Sequence, residues 1–228
     1  MRTIALLLLL SRVAAAAEGT VNGLYPLWEQ TGDLHEAGTL QIGFLHAQLG
    51  LGPVQVGTQP FLDLYGTANA QAKLALWRGQ RLRLALVPGW YRVPAAAQAR
   101  AIGNLRTVKL YNPYGPVTLV PVALAASLLL SPRLRIHAAG SVLGQWADDA
   151  RDRMASAGAA ALLELRANAR WAAMVHAGVE GVPVTRQTHA GLSFAYRLRH
   201  LDLRLGYARR FEDGESSGVL LFDGALLF

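Results

Sequence analysis

Two pairs of residues have types that could form a catalytic site. His189 and Ser193 lie four residues apart in one alternating segment, and His176 and Glu180 have the same separation. In a strand, four residues span about 13 Å at ~3.3 Å per residue, whereas direct proton transfer needs heavy atoms about 3 Å apart. Neither pair can therefore act as nucleophile and base, or as base and carboxylate, within its own strand.

Sequence motifs for metal chemistry are also missing. The chain contains no H-E-x-x-H pattern and no Asp-rich metal loop. It has no cysteine, which excludes disulfides and thiolate metal ligands. We therefore expect no catalytic residue, no metal and no cofactor, although a triad assembled from different strands stays open at this point.

Charged residues recur on one face of segments that alternate between apolar and polar side chains. In residues 187–198, Leu192 and Phe194 share one face, and Ser193 and Arg197 share the other. Successive side chains of a strand point to opposite faces, so this alternation predicts half-buried strands. The charged residues that we assign to the interior by this pattern are Lys73, Arg81, Arg83, Arg133, Arg135, Glu164, Arg166, Arg197, Asp202, Arg204 and Asp223.

This polar face carries more positive than negative charge, and two uses of it are open. If it lines a water-filled lumen, its excess of arginine favours anionic solutes. If instead opposite charges pair across neighbouring strands, as Asp202 with Arg197 or Glu164 with Arg170, ion pairs fill the interior. A small barrel leaves little free space inside, which favours pairing, whereas twelve strands leave some lumen.

The elements that position these residues are short strands separated by turns. Segments of about ten alternating residues are typical of a transmembrane barrel. We predict an all-β fold, a closed antiparallel up-and-down transmembrane β-barrel of about twelve strands, or ten if the weak fifth segment and a neighbour are omitted. The predicted strands are 39–50, 53–65, 69–78, 81–91, 104–112, 117–129, 132–145, 157–168, 170–180, 186–198, 201–211 and 216–228.

Connection lengths and aromatic residues agree with this arrangement in part. Short turns near 131, 169 and 199 would lie at one end of the barrel, and longer connections at 146–156, 181–185 and 212–216 at the other. The long connection from 92 to 103 is an exception, because the strand count puts it at the short-turn end. Aromatic residues collect at both membrane interfaces, and we expect Trp90, Trp171, Tyr196 and Phe228 at the short-turn end and Trp146 and Tyr207 opposite.

The last segment ends in an aromatic residue within a period-two pattern. Its apolar residues on one side are Leu220, Phe222, Leu226 and the terminal Phe228. This resembles the closing strand of bacterial outer-membrane β-barrel proteins, and the general pattern of such proteins extends over residues 38–228 without matching a particular subfamily. The resemblance implies contact with outer-membrane lipid and recognition of the four residues by the barrel assembly machinery.

The start of the chain indicates export to the same compartment. Arg2, an apolar run over residues 4–10, and small residues at Ala15 and Ala17 predict a secretory signal peptide, residues 1–17, cleaved after Ala17. Residues 18–37 then form a periplasmic N-terminal segment that tucks into or caps the barrel of residues 38–228. The formal charge of +7 does not indicate a nucleic-acid partner, because the arginines are dispersed and the predicted signal peptide indicates export.

Three functions are compatible with these observations. The first is a narrow passive channel with a basic lumen, similar to a porin, or a structural component of the outer membrane, with anionic solutes as possible partners. The second is a barrel enzyme acting on lipid or peptide at the cell surface, for which His189 and Ser193 are the residues to test. The third is a soluble exported β-sandwich or lipocalin-like binding protein whose aliphatic face is turned inward.

Overall fold

The computed structural model describes residues 31–64, 66–95, 115–147, 153–182, 185–212 and 215–228. Nearly all of this part of the chain is extended, because residues alternate between apolar and small or polar types. The strands are β1 (Leu40–Gly43), β2 (Ala47–Gly50), β3 (Val54–Thr58), β4 (Ala68–Arg78), β5 (Leu82–Val93), β6 (Val117–Ser131), β7 (Leu134–Ala147), β8 (Arg153–Arg166), β9 (Trp171–Val182), β10 (Thr185–Leu198), β11 (Leu201–Glu212) and β12 (Glu215–Leu227), and a short helix, α1 (Pro60–Leu64), follows β3.

The twelve strands of the described residues form one closed barrel. Each pairs antiparallel with its neighbours in sequence, and β12 pairs with β1 to complete the ring. At this seam Leu40 and Phe228 exchange backbone hydrogen bonds of 3.0 and 2.8 Å. The predicted closed, up-and-down β-barrel of twelve strands is confirmed.

The prediction of a single strand at 39–50 is wrong, because these residues form two strands. β1 ends at Gly43 and β2 begins at Ala47, and Gly43 donates a backbone hydrogen bond to His46 across the turn (2.7 Å). The turn is also held from a distance, because the Leu45 N–H donates to the Asp223 carboxylate of β12 (3.2 Å). Phe44 and Leu45 continue the apolar pattern through this turn, so the alternation gives no sign of it.

This extra strand reverses the end of the barrel that the connections before β6 occupy, whereas the connections after β6 keep their predicted ends. β5 ends at Val93, which pairs with Val117 of β6, so both residues lie at the end of the barrel opposite the short turns. The expected exception at 92–103 was therefore an error of strand counting. Trp90 likewise lies at the opposite end, and not at the short-turn end as predicted. We call the short-turn end the end that contains the connections 51–53, 79–81, 132–133, 167–170 and 199–200 together with Leu40 and Phe228.

Three other predicted elements differ from the structure or fall outside it. The segment 53–65 is β3 followed by α1, in which Pro60 takes the first helical position, where its missing N–H costs nothing. The predicted strand 104–112 lies outside the described residues. The connections expected to be long at 181–185 and 212–216 are shorter, because the flanking strands extend to within two residues of each other.

The apolar face of the strands points outward. Leu192 and Phe194 of β10 are 46% and 49% exposed, whereas Ser193 between them is buried at 1%. The tight hairpin between β10 and β11 also forms as predicted, with Leu198 opposite Leu201. The alternative of a soluble sandwich or lipocalin-like protein required the aliphatic face to be enclosed and is therefore wrong. Among the described residues, no helix has the length and apolar character needed to cross a membrane.

The barrel wall is much lower on one side. β1, β2 and β3 have four, four and five residues, whereas the strands from β4 to β12 have 11 to 15. At ~3.3 Å per residue, the three short strands are about 13 to 17 Å long and the others about 36 to 50 Å long. β1 lies at the short-turn end, because it pairs with the last residues of β12, whereas β3 pairs with the middle of β4.

The seam register can be tested by cross-linking, since the chain has no native cysteine. Gln41 lies directly opposite Leu227, and opposed residues have Cβ atoms about 4.5–5.5 Å apart, near the distance that a disulfide spans. We expect Gln41→Cys with Leu227→Cys to form a disulfide in the folded barrel, detected by gel mobility without reductant. The control pair Gln41→Cys with Ala225→Cys is displaced by two residues and should stay reduced. Equal cross-linking of both pairs would contradict the register.

Candidate functional site in the barrel interior

Residues 31–35, which we call the N-terminal plug, lie inside the barrel at the short-turn end. Thr31, Asp33 and His35 are 3%, 1% and 7% exposed. The plug backbone donates hydrogen bonds to strand side chains. The Gly32 N–H donates to Ser127 Oγ (2.8 Å), and the His35 N–H donates to Gln55 Oε1 of β3 (2.8 Å). Residues 31–35 of the predicted N-terminal segment thus lie in the interior.

Asp33 is the charged centre of the plug. One carboxylate oxygen lies 2.6 Å from an Arg83 nitrogen of β5, and the other lies 3.5 Å from an Arg135 nitrogen of β7. Lys73 of β4 donates from Nζ to the Asp33 main-chain oxygen (2.9 Å). Cations from three strands therefore converge on one plug residue.

His35 adds polar contacts without adding charge. Its Nε2 lies 2.8 Å from the side-chain oxygen of Gln41 and 3.2 Å from that of Gln48. Burial lowers the pKa of His35 to about 4, so the ring is neutral at pH 7 and Nε2–H can donate to these oxygens. Asp33 is consequently the only ionised side chain within residues 31–35.

The plug backbone passes so close to the wall that Gly32 has no room for a side chain. A Cβ at this position would collide with the main-chain oxygen of Arg83 and come within 2.9 Å of the Ser127 nitrogen. Both obstacles are backbone atoms of the sheet, which cannot swing aside as a flexible side chain would. Glycine is therefore required at residue 32 if the plug is to stay in place.

A chain of hydrogen bonds runs from the plug across three strands. Ser127 Oγ of β6 lies 2.7 Å from His137 Nδ1 of β7, and His137 Nε2 lies 2.9 Å from Glu164 Oε2 of β8. Arg166 Nε donates to the other Glu164 oxygen (2.5 Å). The serine, histidine and glutamate are 4%, 2% and 0% exposed. The order hydroxyl, imidazole, carboxylate is the order of groups in a serine hydrolase triad.

A second ionic cluster lies beside the seam. Arg197 holds both oxygens of Asp202, at 2.6 and 2.7 Å, across the hairpin of β10 and β11. Arg204 lies 3.6 Å from the same carboxylate and pairs in register with Asp223 of β12. Asp223 in turn accepts the N–H of Leu45 in the β1–β2 turn. This cluster links three strands to the turn that separates β1 from β2.

The residues assigned to the interior from sequence occupy two kinds of position. Arg81 and Arg133 lie in short turns and are exposed at the rim, because the strands β5 and β7 begin one residue after them. The expected pair of Asp202 with Arg197 is present, whereas Glu164 pairs with Arg166 and not with Arg170 as expected. The residues on the inner wall at the short-turn end are Lys73, Arg83, Arg135, Glu164, Arg166, Arg197, Asp202, Arg204 and Asp223.

The residues of the expected assembly pattern lie on the outer surface of β12. Leu220 and Phe222 are 71% and 62% exposed, and Leu226 and Phe228 are 47% and 38% exposed. Gly224 interrupts the row but keeps the register, since it pairs with Leu203 of β11. All four side chains are thus available to lipid or to a partner that reads this strand.

His189 and Ser193 do not form a catalytic pair in the structure. They occupy separate rows of β10, opposite Gly178 and Met174 of β9. Glu164 is assigned to the interior from the sequence alone, but no local pattern connects it with His137 or Ser127. Only the register of β6, β7 and β8 brings these three together, and a serine within an apolar run carries no local signal.

Metal binding finds no support in the part of the chain that the structure describes. No group of three or more His, Asp or Glu side chains there has an arrangement that could hold an ion. The acidic side chains at the short-turn end pair with guanidinium groups, so their oxygens already have partners other than a metal ion.

No protein-family model matches the chain, and no curated protein matches its sequence. Among solved structures, outer-membrane OmpT of Vibrio cholerae is similar with a TM-score of 0.47 and 9% identity, over 82% of this chain and 64% of that one. The chain therefore spans less than two thirds of that protein.

A protein described as an outer membrane channel and one described as a toluene transporter are also similar in structure. The outer membrane channel DcaP of Acinetobacter baumannii has a TM-score of 0.40 and 13% identity, over 92% of this chain and 70% of that one. The Pseudomonas putida toluene transporter TodX has a TM-score of 0.36 and 10% identity, over 83% and 77%.

We expect the ionic cluster beside the seam to contribute to the free energy of unfolding. Asp202→Ala would leave Arg197 and Arg204 buried without their shared counter-ion, and breaking a buried ion pair from one side costs about 3–5 kcal/mol. We expect a loss of this size in urea unfolding. Asp63→Ala serves as the control, because Asp63 is exposed and its loss should cost under about 1 kcal/mol. Equal losses for both variants would show that the cluster contributes nothing special.

Proposed function

We propose that the protein is an outer-membrane barrel that provides a narrow channel for anionic solutes, closed at its short-turn end by the N-terminal plug. An apolar exterior with a polar interior suits a barrel that spans lipid. The predicted signal peptide and the pattern around Phe228 support export to the outer membrane. The short-turn end then faces the periplasm, as in barrels of this kind.

The observation that carries the proposal is the capture of Asp33 by cations of the wall. The inner wall at this end bears Lys73, Arg83, Arg135, Arg166, Arg197 and Arg204 against Glu164, Asp202 and Asp223, and Asp33 supplies one further negative charge. A wall with this excess attracts anions. A plug that carries one carboxylate is held by the same excess.

If the protein is instead a purely structural component, the plug occupies the interior permanently. It agrees with the burial of the ionic network, because paired charges can stabilise the sheet face without any solute passing. The two roles differ in one measurable respect. A plug that closes a channel must, when it is dislodged, leave a path for ions.

Gly32→Ala tests this directly, since the added methyl group would meet the backbone of β5 and β6 and dislodge the plug. In planar bilayers we expect low conductance from the wild type and an anion-selective current from Gly32→Ala, at least about tenfold larger, because tenfold requires only about 1.4 kcal/mol of plug destabilisation. Gly140→Ala is the matched control, because a Cβ there meets nothing within 4 Å. If Gly32→Ala folds but conducts no more than the control, the barrel is structural.

A second candidate function, a barrel hydrolase, is favoured by the chain from Ser127 through His137 to Glu164. His137 could accept the Ser127 proton on Nδ1 while Nε2–H donates to Glu164, which would hold the ring in place. The sequence G-E-S-S-G at 214–218 has the G-x-S-x-G form, but β12 begins within it, whereas that nucleophile turn joins a strand to a helix. Ser127 is thus the better nucleophile to test.

A fluorophosphonate probe separates the two functions, because it reacts only with activated serines. If the hydrogen-bonded series Ser127, His137 and Glu164 is catalytic, the probe should label the Gly32→Ala variant. In that variant the plug no longer covers Ser127. Adding Ser127→Ala should remove the label, whereas adding Ser141→Ala on the same wall should not. We expect no labelling in any variant if the hydrogen bonds serve only to seat the plug. Intact-mass measurement reports either outcome.

A further inference from the structure

The Asp33 carboxylate occupies a site that is built mainly from other parts of the chain. Arg83 of β5 and Arg135 of β7 contact the carboxylate, and Lys73 of β4 donates to the main-chain oxygen of the same residue. The barrel sheet fixes the spacing of these three strands independently of the plug. When the plug leaves, the three cations therefore stay together.

Without Asp33, this group of cations would be poorly compensated. Lys73 is 7% exposed and the Arg135 side chain 16% exposed, and charges removed from water need a partner of opposite sign. Arg135 also has a buried Nε without a hydrogen-bond partner among the described residues. The site can thus offer a donor that Asp33 does not use.

The contacts also indicate the shape of the anion that fits. Arg83 and Arg135 approach different oxygens of the carboxylate. Two donors on two oxygens select an oxyanion with several acceptor atoms over a halide, which has a single centre. Planar guanidinium groups match carboxylate and phosphate in this way.

We propose that Lys73, Arg83 and Arg135 form a binding site for a small oxyanion, carboxylate or phosphate, and that Asp33 is its resident occupant. An incoming oxyanion competes with Asp33 and thereby releases the plug. This use as a release mechanism rests on the proposed channel function, whereas the binding site itself does not. The solute that opens the barrel is then the solute that the barrel binds.

Competition can be measured without any current. The chain has no cysteine, so Thr31→Cys places a single thiol in the buried plug, and maleimide labelling in detergent reports its release. We expect phosphate or acetate to raise the labelling rate about tenfold, which corresponds to about 1.4 kcal/mol of competition. Sodium chloride at equal ionic strength should have little effect. Glu36→Cys, an exposed position next to the plug, is the control and should label equally fast in all salts.

A variant of the occupant tests the site directly. Asp33→Asn keeps the shape of the side chain and removes its charge, so phosphate or acetate should raise its unfolding temperature while chloride does not. Glu36→Gln removes a charge three residues away and should gain nothing from these anions. Stabilisation by phosphate alone or by acetate alone identifies which oxyanion the site prefers.

The outcomes separate the site from the channel. If neither oxyanion exceeds chloride in either measurement, the binding site is refuted, even if Gly32→Ala conducts. If the anions bind but Gly32→Ala carries no current, the site stands and the channel function fails. Should Asp33→Asn not fold, the labelling of Thr31→Cys still decides.

Discussion

At the short-turn end of the barrel, ionised side chains lie out of reach of bulk water, and each needs a partner of opposite charge. Asp33, Glu164, Asp202 and Asp223 are all at most 2% exposed, and unpaired charges at such depth would cost several kcal/mol each. Their partners come from neighbouring strands or from the plug, so strand register, plug position and charge pairing are mutually dependent. A shift of one residue in any strand would turn its charges to the outside.

This dependence explains which features could be predicted from the sequence. Alternation is a local property, and it was sufficient to identify the strands from β4 to β12 and the outward position of Leu192, Phe194 and Phe222. It failed at Phe44 and Leu45, where the turn depends on a hydrogen bond to Asp223, a residue 178 positions away. It also overlooked α1, whose five residues are too few to establish a helical period.

The residue types that line the interior could be predicted from the sequence, but the contacts between them could not. The arginines and acidic residues of the inner wall follow from the period of two, and the Arg197 and Asp202 pair follows from their shared hairpin. The chain from Ser127 to Glu164 depends on the pairing of three strands, which no local pattern contains. The plug has no periodicity of its own, and its position is determined by partners that lie 6 to 102 residues away.

The low wall formed by β1 to β3 has a consequence for the order in which the barrel folds. The strands from β4 to β12 can assemble by successive hairpins, whose contacts are close in sequence and quick to form. The seam joins residues 182 to 186 positions apart through only a few paired residues, and contacts of such high sequence separation form slowly. The plug directly precedes β1 and reaches across to β5, β6 and β7. It can therefore dock on the finished hairpins first and act as an internal splint that holds β1 near β12 until the ring closes.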